Sequence, residues 1–244
     1  EARRNEITPV PGQDEIRGVH LYQSEVYAVR DGATGGKGIY KARSVGWSTI
    51  NPPELNPGGE CDWTNALFPA FPAGDFVTTQ SLFMVAGVSR PSYHNRFSGG
   101  TGYLDEDGNL PSVQVGINLP QFPTHVAAFD NRLWLAFPGG QLFYSELGVP
   151  DGWDGQNGAG QIPTGDEITD LIAAPGNVLI VFMRNSTKIV YIAERGTADY
   201  GYQLKEFSQR SGCLPNASDR LLGDVYYIDD RGPTNMSTTD QFGD

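Results

Sequence analysis

Residues 125–145 read HVAAFDNRLWLAFPGGQLFYS, and this stretch holds the pattern that decides the fold. Two apolar segments flank the polar pair Asp130-Asn131, and a third follows Pro138-Gly139-Gly140. Asp, Asn and Gly tolerate the left-handed backbone that tight hairpin turns need, while aromatic and aliphatic residues favour strands. The stretch therefore predicts three consecutive antiparallel strands over residues 125–129, 132–137 and 141–145.

The same hairpin pattern recurs along the chain at a nearly constant interval. The centres of the apolar strands are 56, 51, 46 and 46 residues apart. They lie near Val26, Leu82, Leu133, Leu179 and Val225. A Gly-Trp pair follows the hairpin twice, at Trp47 and Trp153, which are 106 residues apart. Repeats of about 40–50 residues with two hairpins each are typical of β-propeller blades, which bury their apolar faces by stacking around a ring.

We therefore predict an all-β fold, a β-propeller of about five four-stranded blade units of roughly 46–56 residues, forming one domain over residues 1–244. Five blades can close a ring by themselves, since propellers have about 4–8. A β-sandwich or barrel is the alternative, but it does not account for the long period or the repeated Gly-Trp pair. Because the chain opens at Glu1 without an initiator Met, we also expect a fragment or processed chain, incomplete at one or both ends.

Some local predictions follow from composition. Residues 51–74 are dense in Pro and Gly and are predicted to form a long loop. No stretch of ten or more residues has helical periodicity, and residues 218–222 are predicted to form at most one helical turn. The longest apolar run, Val178–Met183, is far shorter than the about 20 residues of a membrane-spanning helix.

The charge balance argues against a protein that binds nucleic acid tightly. Lys and Arg total 17 and Asp and Glu total 29, which gives a net charge of −12. Proteins that bind phosphates carry a basic patch, whereas the basic doublet Arg3-Arg4 is flanked here by Glu1 and Glu6. Tight binding to DNA and to anionic membrane surfaces is therefore disfavoured.

Cysteine and histidine are sparse in this chain. Cys61 and Cys213 form no CxxC motif, so a structural zinc site is not expected. They form either one disulfide or two buried thiols, and thiols are favoured because a chain of this length needs no bridge. His20 and His125 begin strand segments, where a strand-edge or core role is expected, and His94 is expected in a solvated loop.

Acidic residues are abundant, but the pattern singles out no pair for chemistry. Residues 105–109 (DEDGN) look at first like a calcium loop, yet its twelfth position is Gly116, so a hairpin turn is expected, with a looser oxygen cage as the alternative. Residues 229–232 (DDRG) are likewise predicted to form a turn. Asp166, Glu167 and Asp170 are interpreted as acidic decoration at the start of a strand.

Motifs for hydrolysis are also missing from the sequence. It contains no G-x-S-x-G elbow, and no two carboxylates can be paired as in a glycosidase. Residues 44–47 (SVGW) share only part of the Asp-box turn of sialidase propellers, because the Asp is absent. We therefore predict that the chain is not an enzyme and has no catalytic, cofactor-binding or metal-binding residues.

Several short motifs follow one another in a set order along the chain. They are EVYAVRDG (25–32), IYK (39–41), GW (46–47), LFMVAG (82–87), RPSY (90–93), VAAFDNRLW (126–134), LFYS (142–145), GW (152–153), PTGDEITDL (163–171), GC (212–213), DVYYID (224–229) and RG (231–232). From about residue 19 to residue 244, this succession resembles the β-propeller tail hub or nozzle proteins of tailed double-stranded DNA phages, also called packaged-DNA stabilisation proteins.

The resemblance implies a virion structural protein, assembled in the host cytoplasm into a homo-oligomeric ring in the phage tail. Such a ring lies below the portal and connector, extends the DNA channel, retains the packaged genome for ejection and anchors fibres or spikes. It implies no cofactor, no membrane insertion and no specific DNA binding, and an acidic wall suits a channel through which DNA slides.

Two alternatives to the tail hub remain open. One is a tail-tip propeller that binds a carbohydrate or receptor through exposed aromatic residues such as Trp63, Tyr93 and Trp153. The other is a secreted propeller hydrolase.

Overall fold

The computed structural model describes residues 8–32, 37–50, 55–69, 71, 80–95, 101–104, 113–114, 120–193 and 201–242. The described chain folds into five small antiparallel sheets arranged as a five-bladed β-propeller, which confirms the predicted fold class. The prediction for residues 105–109 lies outside the described residues.

Each blade is a sheet of strands that follow one another in the chain. The first sheet has the order β1 (Ile16–Tyr22), β2 (Glu25–Asp31), β3 (Lys37–Ala42), β4 (Trp47–Ile50). The second has the order β5 (Asp62–Ala66), β6 (Ser81–Val85), β7 (Ser92–His94), β8 (Thr101–Tyr103). A separate two-stranded ribbon follows, made of β9 (Val113–Gln114) and β10 (Pro120–Gln121).

The remaining three sheets repeat this plan. The third has the order β11 (His125–Phe129), β12 (Arg132–Phe137), β13 (Gln141–Tyr144), β14 (Gly160–Pro163). The fourth has the order β15 (Ile168–Ala174), β16 (Val178–Met183), β17 (Thr187–Ile192), β18 (Tyr202–Ser208). The fifth has three strands in the described chain, β19 (Ser218–Leu221), β20 (Asp224–Asp229) and β21 (Gly232–Asn235), followed by the helix α1 (Met236–Phe242).

Tight turns set the register of the first hairpin in three sheets. The two turn residues have positive φ in each: Gln23 and Ser24 (49° and 63°), Asp130 and Asn131 (50° and 54°), and Leu222 and Gly223 (53° and 87°). A two-residue turn with both residues in this region matches the right-handed twist of the flanking strands. The turns therefore fix which face of the sheet each side chain of the first strand occupies.

Four apolar clusters fill the interfaces between consecutive sheets. The second strand of a sheet contributes side chains to the apolar clusters on both faces of that sheet, because successive side chains point to opposite faces. In β16, Leu179 and Val181 pack against the third sheet, while Ile180 and Phe182 pack against the fifth. Burial on both faces explains why these strands are continuous apolar runs in the sequence.

One face of the first sheet and one face of the fifth differ from the other sheet faces, because their apolar side chains are exposed. Val19 and Leu21 of β1 are 62% and 61% exposed, and Tyr226 and Ile228 of β20 are 41% and 42% exposed. In the described residues, no apolar cluster joins these two faces as the four clusters join the others. We call these two surfaces the terminal faces.

Two local predictions were wrong. Residues 51–74 include strand β5, and residues 218–222 begin with strand β19 rather than a helical turn. Both strands are short and are held by pairing with β6 and β20, which a local pattern does not reveal. The structure also contains α1, although none of the helices in the described chain has the length and apolar character needed to cross a bilayer.

Candidate functional site

A cavity of about 830 Å³ lies where the first strands of all five sheets meet. Its wall includes His20 of β1, Trp63 of β5, Ala127 of β11, Leu171 of β15 and Ser218 of β19. The fifth sheet also contributes residues of its second and third strands, β20 and β21. The cavity therefore continues from the propeller centre along the terminal face of the fifth sheet.

Three ionisable side chains from three different sheets converge beside this cavity. They are Asp62, the first residue of β5; His125, the first residue of β11; and Asp170, in β15. One ligand atom from each lies within 4.8 Å of the other two. Nδ1 of His125 lies 3.6 Å from Oδ2 of Asp62, which is too long for a hydrogen bond. We call these residues the triad.

Backbone amides hold both carboxylates of the triad in place. Asp62 accepts hydrogen bonds from the amides of Trp63 (2.7 Å) and Val126 (2.8 Å). Asp170 accepts them from the amides of Leu171 (2.8 Å) and Ser218 (2.9 Å). Each aspartate thus bonds its own strand and the first strand of the next sheet. The triad is therefore fixed to the propeller framework, and its aspartates also join neighbouring sheets.

The electrostatics of the triad favour a bound positive charge. Burial raises the pKa of Asp170 to about 6, and the nearby carboxylate of Asp62 contributes to the rise. Burial works to lower the pKa of His125, but the pKa lies above its usual value because the surrounding carboxylates, led by Asp62, stabilise the imidazolium. The buried carboxylate of Asp170 and the half-buried carboxylate of Asp62 thus attract a cation, either a proton on His125 or a metal ion.

An aromatic pair forms another part of the cavity wall. The rings of His20 and Trp63 stack with centroids 5.7 Å apart and planes at 3°. Asn65 contacts Nε2 of His20 through Oδ1 at 3.0 Å. Gly18 leaves room for this arrangement, because a Cβ at that position would lie 2.7 Å from Nε1 of Trp63. Both rings are half-buried at the cavity, so they present a partly apolar surface to it.

The structure brings together only some of the residues that the sequence singled out. Trp63 lines the cavity, whereas Tyr93 packs against Phe71 and Trp153 is buried in the cluster between the second and third sheets. His94 was expected in a solvated loop, but it lies in β7, where its ring contacts Tyr22. That prediction was wrong because pairing of β7 with β6 draws the polar segment into the sheet.

The acidic residues near residue 170 separate into two environments. Asp166 and Glu167 are exposed, as expected for acidic decoration, but Asp170 is only 5% exposed and belongs to the triad. The prediction for Asp170 was therefore wrong, because β15 turns this side chain toward the ring interior. His125 is a buried strand residue, as predicted, although its acidic neighbours come from sheets that are distant in sequence.

The predictions for the two cysteines and for residues 229–232 were correct. Cys61 and Cys213 are both buried and are not joined by a disulfide, which bears out the favoured alternative of two thiols. Residues 229–232 form the turn between β20 and β21, in which Asp229 pairs with Gly232.

Comparison with protein-family models finds no match, and comparison with curated proteins finds none either. The chain is similar to the extracellular domain of BT4673 from B. thetaiotaomicron, with a TM-score of 0.56 and 12% identity over 93% of this chain and 28% of that chain. It is also similar to the CNH domain of AfRom2, with a TM-score of 0.49 and 12% identity over 93% of this chain and 64% of that one.

This chain therefore spans less than two thirds of either neighbour. At 12% identity, the likeness to BT4673 shows the propeller fold alone.

Proposed function

We propose that this chain is a structural subunit of a phage tail, part of the hub or nozzle ring that extends the DNA channel, retains packaged DNA and anchors fibres or spikes. The order of motifs along the chain supports this role, and the five-sheet propeller is compatible with it. The observation that carries the proposal is the pair of terminal faces, whose apolar side chains are exposed. Such a role requires no catalysis, and it places the protein in the virion.

Exposed apolar surface of this kind is typical of surfaces that other protein elements cover. The two terminal faces use different residues, Val19 and Leu21 on one side and Tyr226 and Ile228 on the other. A contact between copies through unlike surfaces is heterologous, and it produces a ring when the rotation closes. We infer that an element of the neighbouring subunit covers these faces in a homo-oligomeric ring, which the portal or connector and the fibre or spike proteins then contact.

The dimensions of the central cavity define where DNA passes in this proposal. A sphere of 830 Å³ is about 12 Å across. The major groove of B-DNA alone is about 12 Å wide, so the whole duplex is wider than the cavity. Duplex DNA therefore passes along the axis shared by several copies, outside the propeller centre. The net charge of −12 disfavours tight phosphate binding along that path.

Electron cryo-microscopy of phage particles that carry this chain tests the proposal directly. We expect density for several copies in a ring on the tail axis, next to the portal or connector. Particles in which the chain is absent from the tail, with the protein recovered only as a free monomer, would contradict it.

The ring contact can be tested on the purified chain by mass photometry. Leu21→Lys and Ile228→Lys place a charge on one terminal face each, so we expect both to dissociate the assembly while circular dichroism remains that of a folded β protein. Val45→Lys is the control, because Val45 is 90% exposed in the turn between β3 and β4. Assembly that persists unchanged in both variants would rule out the terminal faces as the contact.

The stacked His20 and Trp63 rings favour one alternative, a tail-tip propeller that binds a carbohydrate or receptor. Aromatic faces commonly supply the apolar part of a binding surface, with polar groups such as Asn65 beside them. Glycan-array binding that is lost in Trp63→Ala and kept in Tyr93→Ala would support this alternative, provided that both variants unfold cooperatively. Absence of binding by the intact chain would dismiss it.

A further inference from the structure

The triad at the cavity wall has the chemistry of a metal site. We propose that Asp62, His125 and Asp170 bind one divalent transition-metal ion, with Zn²⁺ preferred over Mn²⁺ and Mg²⁺. The proposal is independent of the tail assignment, because it depends only on the geometry of these three side chains.

The spacing of the ligand atoms suits a metal ion. With bonds of about 2.1 Å to nitrogen and oxygen, ligand atoms in a tetrahedral site lie about 3.4 Å apart. Nδ1 of His125 and Oδ2 of Asp62 are 3.6 Å apart, and all three ligand atoms lie within 4.8 Å of one another. A contraction of up to about 1.4 Å at the widest pair completes such a site.

The imidazole of His125 supplies an independent indication of a ligand. The residue is only 5% exposed, and its Nδ1 is buried without a hydrogen-bond partner in the described structure. A buried polar atom without a partner is costly, and this nitrogen lies toward the carboxylate of Asp62. A metal ion placed between them would satisfy the nitrogen and neutralise both aspartates.

The donor set points to the class of metal. Imidazole nitrogen suits zinc and other first-row transition metals, whereas carboxylate oxygen alone suits Mg²⁺ or Ca²⁺. Affinity for Zn²⁺ exceeds that for Mn²⁺ in sites of this type. The four amide hydrogen bonds to Asp62 and Asp170 orient the carboxylates as outer-shell partners do in metal sites.

The position of the site predicts two consequences. The three ligands come from the second, third and fourth sheets, so a bound ion links three consecutive blades. Asp62 and Asp170 also line the cavity, so the fourth position of a tetrahedral ion faces it and is open to water or to an oxygen donor of a bound molecule.

Isothermal titration calorimetry of the EDTA-treated, dialysed chain with ZnCl₂ tests the site. We expect saturable binding of one Zn²⁺ per chain, weaker binding of Mn²⁺ and none of Mg²⁺ at the same concentrations. Zinc at about 100 times its Kd should raise Tm by about 5–10 °C. X-ray absorption of the zinc-loaded chain should show nitrogen and oxygen ligands, including imidazole, without sulfur.

His125→Gln and Asp170→Asn remove one ligand each, and we expect both to weaken Zn²⁺ binding by more than the about 10–100-fold that outer-shell changes cost. Asp219→Asn is the matched control, because it removes an exposed carboxylate from the wall of the same cavity. It should keep the wild-type affinity. Absence of saturable binding by the wild-type chain would overturn the proposal, as would sulfur ligands in the absorption spectrum, whether or not the variants fold.

Discussion

The hydroxyl of Tyr202, at the start of β18 in the fourth sheet, donates a 2.7 Å hydrogen bond to Oδ2 of Asp130, in the first hairpin turn of the third sheet. The same ring packs edge-on against Trp134 and Tyr144. Burial and the neighbouring carboxylate both raise the pKa of Tyr202, so its hydroxyl remains a donor at alkaline pH. This contact therefore ties the outer part of one blade to a turn of the blade before it.

We predict that Tyr202→Phe lowers the free energy of unfolding by about 1–2 kcal/mol, because it removes the hydrogen bond to a carboxylate but keeps the ring packing. Tyr191→Phe is the control, since that hydroxyl bonds Gln203 at the exposed surface and its loss should cost little. Urea denaturation measures both. Equal losses in the two variants would show that the link to Asp130 adds no stability.

Two adjacent glycines between β12 and β13 should differ sharply in their tolerance of alanine. Gly139 and Gly140 both have positive φ, at 79° and 72°. A Cβ on Gly139 would meet nothing within 4 Å, whereas one on Gly140 would lie 2.2 Å from the carbonyl oxygen of Asp166. We expect Gly139→Ala to cost about 1 kcal/mol and Gly140→Ala about 2–4 kcal/mol in thermal or urea unfolding. Similar costs would mean that backbone strain alone decides both.

The two cysteines should be inert in the folded chain. Burial raises the pKa of Cys213 to about 12, and Cys61 is also buried. Because the thiolate is the reactive form, we expect alkylation of Cys213 by iodoacetamide at pH 8 to be about a thousandfold slower than that of a free thiol. Intact mass should show two modified thiols after denaturation without a reductant. A mass lower by two hydrogens, with no modification, would instead reveal a disulfide.

Asp229 should contribute stability that disappears in acid. Burial would raise the pKa of Asp229, but hydrogen bonds from the guanidinium and amide of Arg231 outweigh it and hold the pKa below its usual value. A carboxylate whose pKa is lower in the folded state stabilises the fold at pH values above its pKa in the unfolded chain, which is near 4. This contribution is lost as the pH falls through the pKa of the folded state. Stability should therefore fall as the pH is lowered from about 5.

We expect Asp229→Asn to lose about 1–3 kcal/mol at pH 7 and to converge with the wild type as the pH drops below about 4. Asp230→Asn serves as the comparison, because Asp230 is exposed and pairs with Arg184 at the surface. Urea midpoints measured from pH 7 to pH 3 provide the data. A constant difference across that range would show that the carboxyl charge is not responsible.

The blade pattern could be predicted because it depends on short, local sequence patterns. The strands around Leu133 and Leu179 are apolar runs bounded by turn residues, and their observed bounds match the predicted ones closely. The turn before β20 is less evident in the sequence, because Leu222, an apolar residue, adopts positive φ together with Gly223. The Gly-Trp pairs were less regular than expected: Trp47 begins β4, whereas Trp153 precedes β14 and lies in the core.

The triad and α1 could not be predicted in this way. Asp62, His125 and Asp170 lie on three sheets, and each is unremarkable among its own neighbours in sequence. The one available signal was the recurrence of ionisable residues near the beginning of successive first strands. The helix α1 is only seven residues long, too short for periodicity, and its start depends on Asn235, which accepts a hydrogen bond from the amide of Thr238.

Each of the five sheets is built from neighbouring strands, and each apolar cluster joins sheets that are consecutive in the chain. Contacts between consecutive elements require little loop closure, so a hairpin can form before the distant part of the polypeptide has been synthesised. During translation, each new sheet would pack against the preceding sheet, which has already folded. We therefore expect the protein to fold progressively from the amino terminus on the ribosome, with the final sheet the last to dock.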